Sequence, residues 1–388
     1  MSSRARLVVL FVSAPIVVLV VAGGFMSKAT AARDETYRPM RVFEDVVRLI
    51  LDSYVESVNS DGIMQGAMHG LAEELDPDTA YLTPSQAATF TASGSAQTAG
   101  VGLQLTRQYY LRVIAARDGS PAARAGLRTG DFVRAIDGKS TRDTSVLLGT
   151  RLLQGAPGTK VTLTVLRGNA AEPHTLELVR EAPALPPVTG RMVRPGAGLV
   201  RIPAFASTTP AQLREQFAEL RKQGAEQMLI DLRGTAEGAL DDGIAAARLF
   251  VSKGVLATRE SRTAKTPIEA GAEDGGLPAP VVLLVDNGTS GAAELFAAAL
   301  VGNVRTSLVG ERTLGRAAVQ ELVKLPDGSA LWLSTTRYLT PRNDVIHDKG
   351  LKPDVAVDGP DVEFGAEPPQ TDPILDKALE TIAAKKAA

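Results

Sequence analysis

The chain of 388 residues contains no cysteine and three histidines, His69, His174 and His347. This excludes a thiolate nucleophile, disulfides and thiolate metal sites. No histidine falls in a metal-binding spacing such as HExxH, so neither a zinc centre nor any other cofactor is expected. Hydroxyls, carboxylates and cations remain. Ser290 stands in Thr289-Ser290-Gly291-Ala292-Ala293-Glu294, between an apolar strand from Val281 to Val285 and a helix. Ser or Thr at a helix start caps free backbone N–H groups, and that is the role expected of Ser290. Arg316, in Gly315-Arg316-Ala317, carries a planar fork of donors suited to a carboxylate. Asp344 and His347 lie in a segment able to approach the same region, although a lone histidine is more often structural.

These residues need a frame. Lys and Arg total 42 and Asp and Glu 44, a balance that gives no electrostatic reason for a nucleic-acid partner. The length suits two or three domains, and the pattern predicts an α/β multidomain chain. Residues 39 to 75 read as helices, with Asp61 capping the second, and Asp76-Pro77-Asp78 breaks the pattern. Thr91 to Thr98 reads as a flexible join. From 97 to 182, short strands at Val101 to Leu105, Tyr110 to Ala115, Phe132 to Ile136 and Lys160 to Leu166 surround one helix, Val146 to Leu153. After a Pro-rich linker, residues 183 to 360 alternate strands (Leu199 to Ile202, Met228 to Leu232, Val281 to Val285) with helices, then form a hairpin around Pro326-Asp327-Gly328. Residues 361 to 388 carry a terminal helix.

Arg4 and Arg6 precede an apolar run from Leu7 to Met26, long enough to span a bilayer with its positive flank in the cytoplasm. Ala29-Thr30-Ala31 resembles a cleavage site, so residues 1 to 31 are either a signal peptide or an anchor. The length of the run favours the anchor. Either way the rest is expected outside the cytoplasm, in the periplasm, with the inner membrane as a partner.

Gly100-Val101-Gly102-Leu103 and the later run Gly119-Ser120-Pro121-Ala122-Ala123-Arg124-Ala125-Gly126-Leu127-Arg128-Thr129-Gly130-Asp131 resemble the PDZ domains of extracytoplasmic proteases. The resemblance implies that N–H groups of Gly100, Val101, Gly102 and Leu103 hold a polypeptide C-terminal carboxylate while the next strand pairs with the peptide. The alternative is that these glycines only make turns.

The remainder resembles the carboxyl-terminal processing, or tail-specific, serine proteases, through Leu229-Ile230-Asp231-Leu232-Arg233-Gly234, Tyr338-Leu339-Thr340-Pro341 and Lys349-Gly350-Leu351-Lys352-Pro353-Asp354. That family uses a serine nucleophile and a neutral lysine base. With Glu294 aligned, the nucleophile position is Gly291. The base position, 25 residues on, is Arg316, and the supporting Gln is Gln320. The oxyanion motif has drifted to Thr235-Ala236-Glu237-Gly238, leaving Gly238 and Ala292 as candidate N–H donors. Glycine cannot attack, and arginine's guanidinium stays protonated. The resemblance therefore implies a scaffold or regulator that binds polypeptide C-termini and an active protease relative. Two further readings stay open. One is an active endopeptidase using Ser290, which sits one position early and is turned by about 100° on a helix. The other is a homo-oligomer built through the terminal helices.

Overall fold

The computed structural model describes residues 38–92, 99–168, 172–277, 281–303, 306–360, 362–366 and 371–387. The apolar N-terminal run, the cleavage-like site and most of the Thr91 to Thr98 join lie outside the described residues. Among those described, no helix is long and apolar enough to cross a membrane. The chain divides into Met1–Met68 and His69–Ala388. In the first unit, residues 38–53 are helical and the helix Ser60–Glu73 begins. Asp61 does not cap that helix as expected. Asn59 does: its Oδ1 accepts from the N–H groups of Asp61 and Gly62 at 3.1 and 3.4 Å. Asp61 instead sits in the first turn, where its charge suits the helix dipole.

The second unit is built on three sheets. In the first, Leu103–Gln108 is an edge strand, followed in space by Tyr110–Ala116, Phe132–Ile136, Lys160–Leu166 and His174–Val179. The helix Val146–Leu153 closes over this sheet, with Ser145 Oγ accepting from Leu148 N at 3.3 Å. The edge strand starts two residues later than the sequence predicts. Gly102 is left-handed (φ 75°), and the carbonyls of Val101 and Gly102 are taken by the N–H groups of Ala122 and Arg117.

The second sheet runs Val355–Ala356, Ser307–Gly310, Val281–Val285, Gln227–Asp231 and Ala197–Arg201, all parallel, with Thr189–Arg194 antiparallel at its edge. Val281–Val285 is buried at every residue, as a strand covered on both faces should be. Helix Ala292–Asn303, buried from Ala292 to Leu300, is apolar all round because it runs through the core. Phe296 meets Phe205 and Phe250 at ring-centroid distances of 5.5 and 5.8 Å. On the opposite face the terminal helix Pro373–Ala387 buries Ile374, Ala378 and Ile382 against Leu199, Leu229, Val282 and Leu284. Its apolar stripe is thus spent on the chain's own sheet.

The third sheet is antiparallel: Lys265–Glu269, Val255–Ser261, Ala330–Leu339 and Ala80–Leu82, with Ala318–Lys324 on the other side of Ala330–Leu339. Ala80–Leu82 pairs with Ala330–Trp332. Three residues are too few for alternation to be visible, so this strand was not legible in the sequence. It makes the segment before the PDZ-like sheet part of the core.

That segment is pinned by Asp76. Its Oδ1 accepts from the N–H groups of Asp78 and Thr79 at 2.9 and 2.7 Å, and its Oδ2 from Thr79 Oγ1 at 2.9 Å. His347 Nε2 lies 3.7 Å from Asp76 Oδ2 and 3.8 Å from Asp348 Oδ2. Burial opposes both charges. Even so, His347 and the Thr79 and Ser334 donors hold the Asp76 carboxyl far below its usual range. Asp76, Asp348 and Asp78 raise the His347 imidazole above its usual value.

Two outcomes follow. Phe296→Ala lowers the unfolding free energy by about 3–5 kcal/mol in urea titrations, as expected for a fully buried ring. The raised imidazole stabilises the fold fully below the histidine's unfolded value of about 6.5, and that contribution is lost as pH rises through the folded value. Thermal stability therefore falls on going from slightly acidic to alkaline pH, and His347→Gln flattens that part of the profile.

Candidate active site

Parallel sheets place their loops, and any ligand, at the carboxyl ends of the strands. Here the loops after Gln227–Asp231 and Val281–Val285 are stitched together by Asp286, whose Oδ1 accepts from Gly234 N at 2.8 Å, Gly288 N at 3.0 Å and Thr289 Oγ1 at 3.1 Å. Burial pushes its carboxyl up. Beside them opens a cleft of about 480 Å³, lined by residues 236–241, Gly291, Arg316, Ala318, Gln320 and Tyr338, and by Gln104 from the PDZ-like sheet.

The structure brings positions 291 and 316 together. A Cβ at Gly291 would lie 3.7 Å from the Arg316 carbonyl oxygen and 3.8 Å from Leu240 Cδ2, in ordinary contact. The residue that joins them is Glu294, which is fully buried. Its Oε2 accepts from Gly291 N at 3.0 Å and Arg316 N at 2.7 Å, and its Oε1 from Gly315 N at 2.7 Å and from Thr313 Oγ1. This is half of a capping box, with Glu294 reaching back to the residue before the helix. Burial raises the Glu294 carboxyl, and the four donors work against that rise.

Ser290 does not cap the helix. Its N–H donates to Thr235 O at 3.0 Å, and its Oγ is buried with no hydrogen-bond partner. The capping position is Gly291, one residue later, in a left-handed conformation (φ 64°). Ser290 is absent from the cleft wall, which Gly291 forms.

Arg316 does not offer its fork to the cleft either. Its Nε donates to Asp78 Oδ2 at 2.9 Å and its Nη2 lies 2.7 Å from Asp78 Oδ1, a bidentate pair in which the Asp78 side chain is only 7% exposed. Its Nη1 donates to Leu105 O of the PDZ-like edge strand at 3.4 Å. The carboxylate that the Arg316 fork meets belongs to the chain itself. In the sequence Asp78 belongs to a helix breaker within Leu71 to Leu82, a stretch that resembles the family's segment before the PDZ domain, and nothing local in Asp76-Pro77-Asp78 points to a partner 238 residues away.

The other candidates fall as follows. Gln320 lines the cleft and donates through Nε2 to Ser334 Oγ at 3.2 Å. Gly238 lines it too, at φ 129°, pressed so closely on Phe205 O that no Cβ would fit, while Ala292 is buried. Arg117 closes on Glu237 at 3.0 Å, and Arg201 on Asp118 at 3.1 Å, fixing the PDZ-like sheet to the cleft loops. In the carboxylate loop, the Gly100 N–H is already bonded to Glu181 O at 2.9 Å. Asp344, bonded to Thr340, lines a different hollow, and His347 belongs to the Asp76 cluster, so neither joins this cleft.

Comparison with known proteins follows this geometry. Residues 196–357 match Peptidase family S41 and residues 112–167 match a PDZ domain. The chain is 31% identical over 315 residues to the carboxy-terminal processing protease CtpA of Bacillus subtilis, covering 80% of this chain and 67% of that one. It is 32% identical over 296 residues to the carboxyl-terminal-processing protease of Synechocystis sp., covering 74% and 69%. Among solved structures, a photosystem II D1 C-terminal processing protease superposes with a TM-score of 0.66 at 28% identity, over 83% of this chain and 93% of that one. The chain therefore belongs to Peptidase family S41, the serine-type carboxyl-terminal processing proteases, as a member that carries a PDZ domain.

Proposed function

We propose that this member holds polypeptide C-termini outside the cytoplasm without cutting them, as a scaffold or regulator of an active relative. The observation that carries the reading is the bare Gly291 in the cleft wall, where the family's nucleophile is expected. Its neighbour in the base role, Arg316, is a guanidinium, which stays protonated and cannot accept the hydroxyl proton. Removing a serine nucleophile costs on the order of 10⁶ in turnover. The carboxyl end of a polypeptide would be held by N–H groups of the PDZ loop other than Gly100's, which is bonded to Glu181 O, its chain pairing with the edge strand Leu103–Gln108. The N-terminal apolar run would keep the assembly at the membrane.

One observation favours a second reading, in which Ser290 is the nucleophile: its buried hydroxyl has no partner, and such orphans call for an explanation. Reaching the cleft would require the turn at residues 289–291 to change.

Two measurements separate these readings. The purified full-length chain is incubated with unfolded casein and, in parallel, with a fluorophosphonate probe. The expected result is neither cleavage nor labelling above the Ser290→Ala variant; Ser290-dependent cutting sinks the holding-only reading. Fluorescent peptides with free C-termini are then compared with their amidated forms. Loss of a charge-assisted contact weakens binding by roughly tenfold or more, and equal affinities would remove the PDZ loop from the account.

A further inference from the structure

Arg316 contacts three different parts of the second unit, one through its backbone and two through its side chain. Its backbone anchors in the core through Glu294, its guanidinium grips Asp78 of the segment before the PDZ domain, and its remaining nitrogen reaches the PDZ edge strand at Leu105 O. Asp78 is the more buried partner, its side chain 7% exposed against 28% for Arg316. A buried carboxylate stripped of its cation is strongly destabilising, so neither residue is free to change alone.

We infer that Asp78 is a third determinant of this site: Asp78 and Arg316 form one matched pair, and the cleft has no working base while Asp78 faces position 316. The inference rests on the reading that positions 291 and 316 are those of the nucleophile and base. A lysine base must be neutral to accept the serine proton. At position 316 a lysine ammonium would meet the Asp78 carboxylate at ion-pair distance, which favours the charged form. Asp76 and Asp348 cluster with Asp78 around His347, and their carboxylates favour the charged amine while a protonated His347 opposes it. Restoring the two side chains of the dyad therefore restores a nucleophile beside a protonated amine. Asparagine at 78 keeps the size and a hydrogen-bond acceptor and removes the charge that faces the amine.

Position 291 tolerates the repair sterically, since a Cβ there meets nothing closer than 3.7 Å, although its left-handed backbone carries some strain for a non-glycine residue. In fluorophosphonate labelling the introduced serine oxygen bonds to phosphorus and fluoride leaves. The hydroxyl proton passes to the lysine amine and from there to water.

The test compares two variants of the full-length chain, G291S/R316K and G291S/R316K/D78N, by labelling rate against pH. The expected result is labelling about tenfold or more faster in the triple variant at neutral pH, with the pH midpoint lower by about one unit or more. Equal rates and equal midpoints in two labelled variants overturn the inference and leave the proposed function standing. A double-mutant cycle of D78N and R316M in urea gives a readout independent of catalysis. Each single change is expected to weaken folding by about tenfold or more, and the pair by clearly less than their product; additivity overturns the matched pair. If neither repaired variant is labelled, the claim about the base is overturned, and the cycle decides only whether Asp78 and Arg316 are a matched pair. The failure then falls on the reading of positions 291 and 316 as a dyad site.

Discussion

A carboxylate with no solvent exposure and four donors holds the site together. Glu294 sits at the start of the central helix, where the dipole and the free N–H groups favour negative charge. Through its two oxygens it fixes the helix entry at Gly291, the strand exit at Thr313 and the turn at Gly315 and Arg316. Each of these groups would otherwise be a buried or half-buried polar atom needing a partner. Any change that moved the helix relative to the turn would orphan several at once, and that cost explains why positions 25 residues apart in sequence stay adjacent.

Around that anchor, charges are neutralised within the chain. Arg316 is matched by Asp78, Glu237 by Arg117, Asp118 by Arg201, and Asp231 by Arg233, which also reaches Asp372. The exposed members of this set add little to stability. The partly buried ones have a different effect: they set where the PDZ domain and the preceding segment lie against the cleft. The close approach of Gly288 to Thr129 and Ile114 of the PDZ domain, with no room for a Cβ, marks the same interface.

Membership of a protease family is a statement about this frame, while chemistry depends on a few side chains mounted on it. The strands, the Asp231 to Arg233 corner, the Glu294 anchor and the PDZ domain are all present. The cleft they surround has Gly291 in its wall and, beside it, Arg316, whose guanidinium is paired with Asp78.

By itself the sequence determined the domain order, the buried strand Val281–Val285, the amphipathic helices and the residue types at 291, 316 and 320. These follow from local periodicity and from side-chain chemistry that no fold can alter. Tertiary structure alone decided three things. Ala80–Leu82, too short to show a pattern, joins the core sheet. The Ser290 hydroxyl is buried and left unbonded, because the capping position falls at Gly291, whose N–H Glu294 satisfies. Arg316 is occupied by Asp78. Each of these depends on partners far apart in the chain, so the interaction exists only once packing has brought them within a few ångströms.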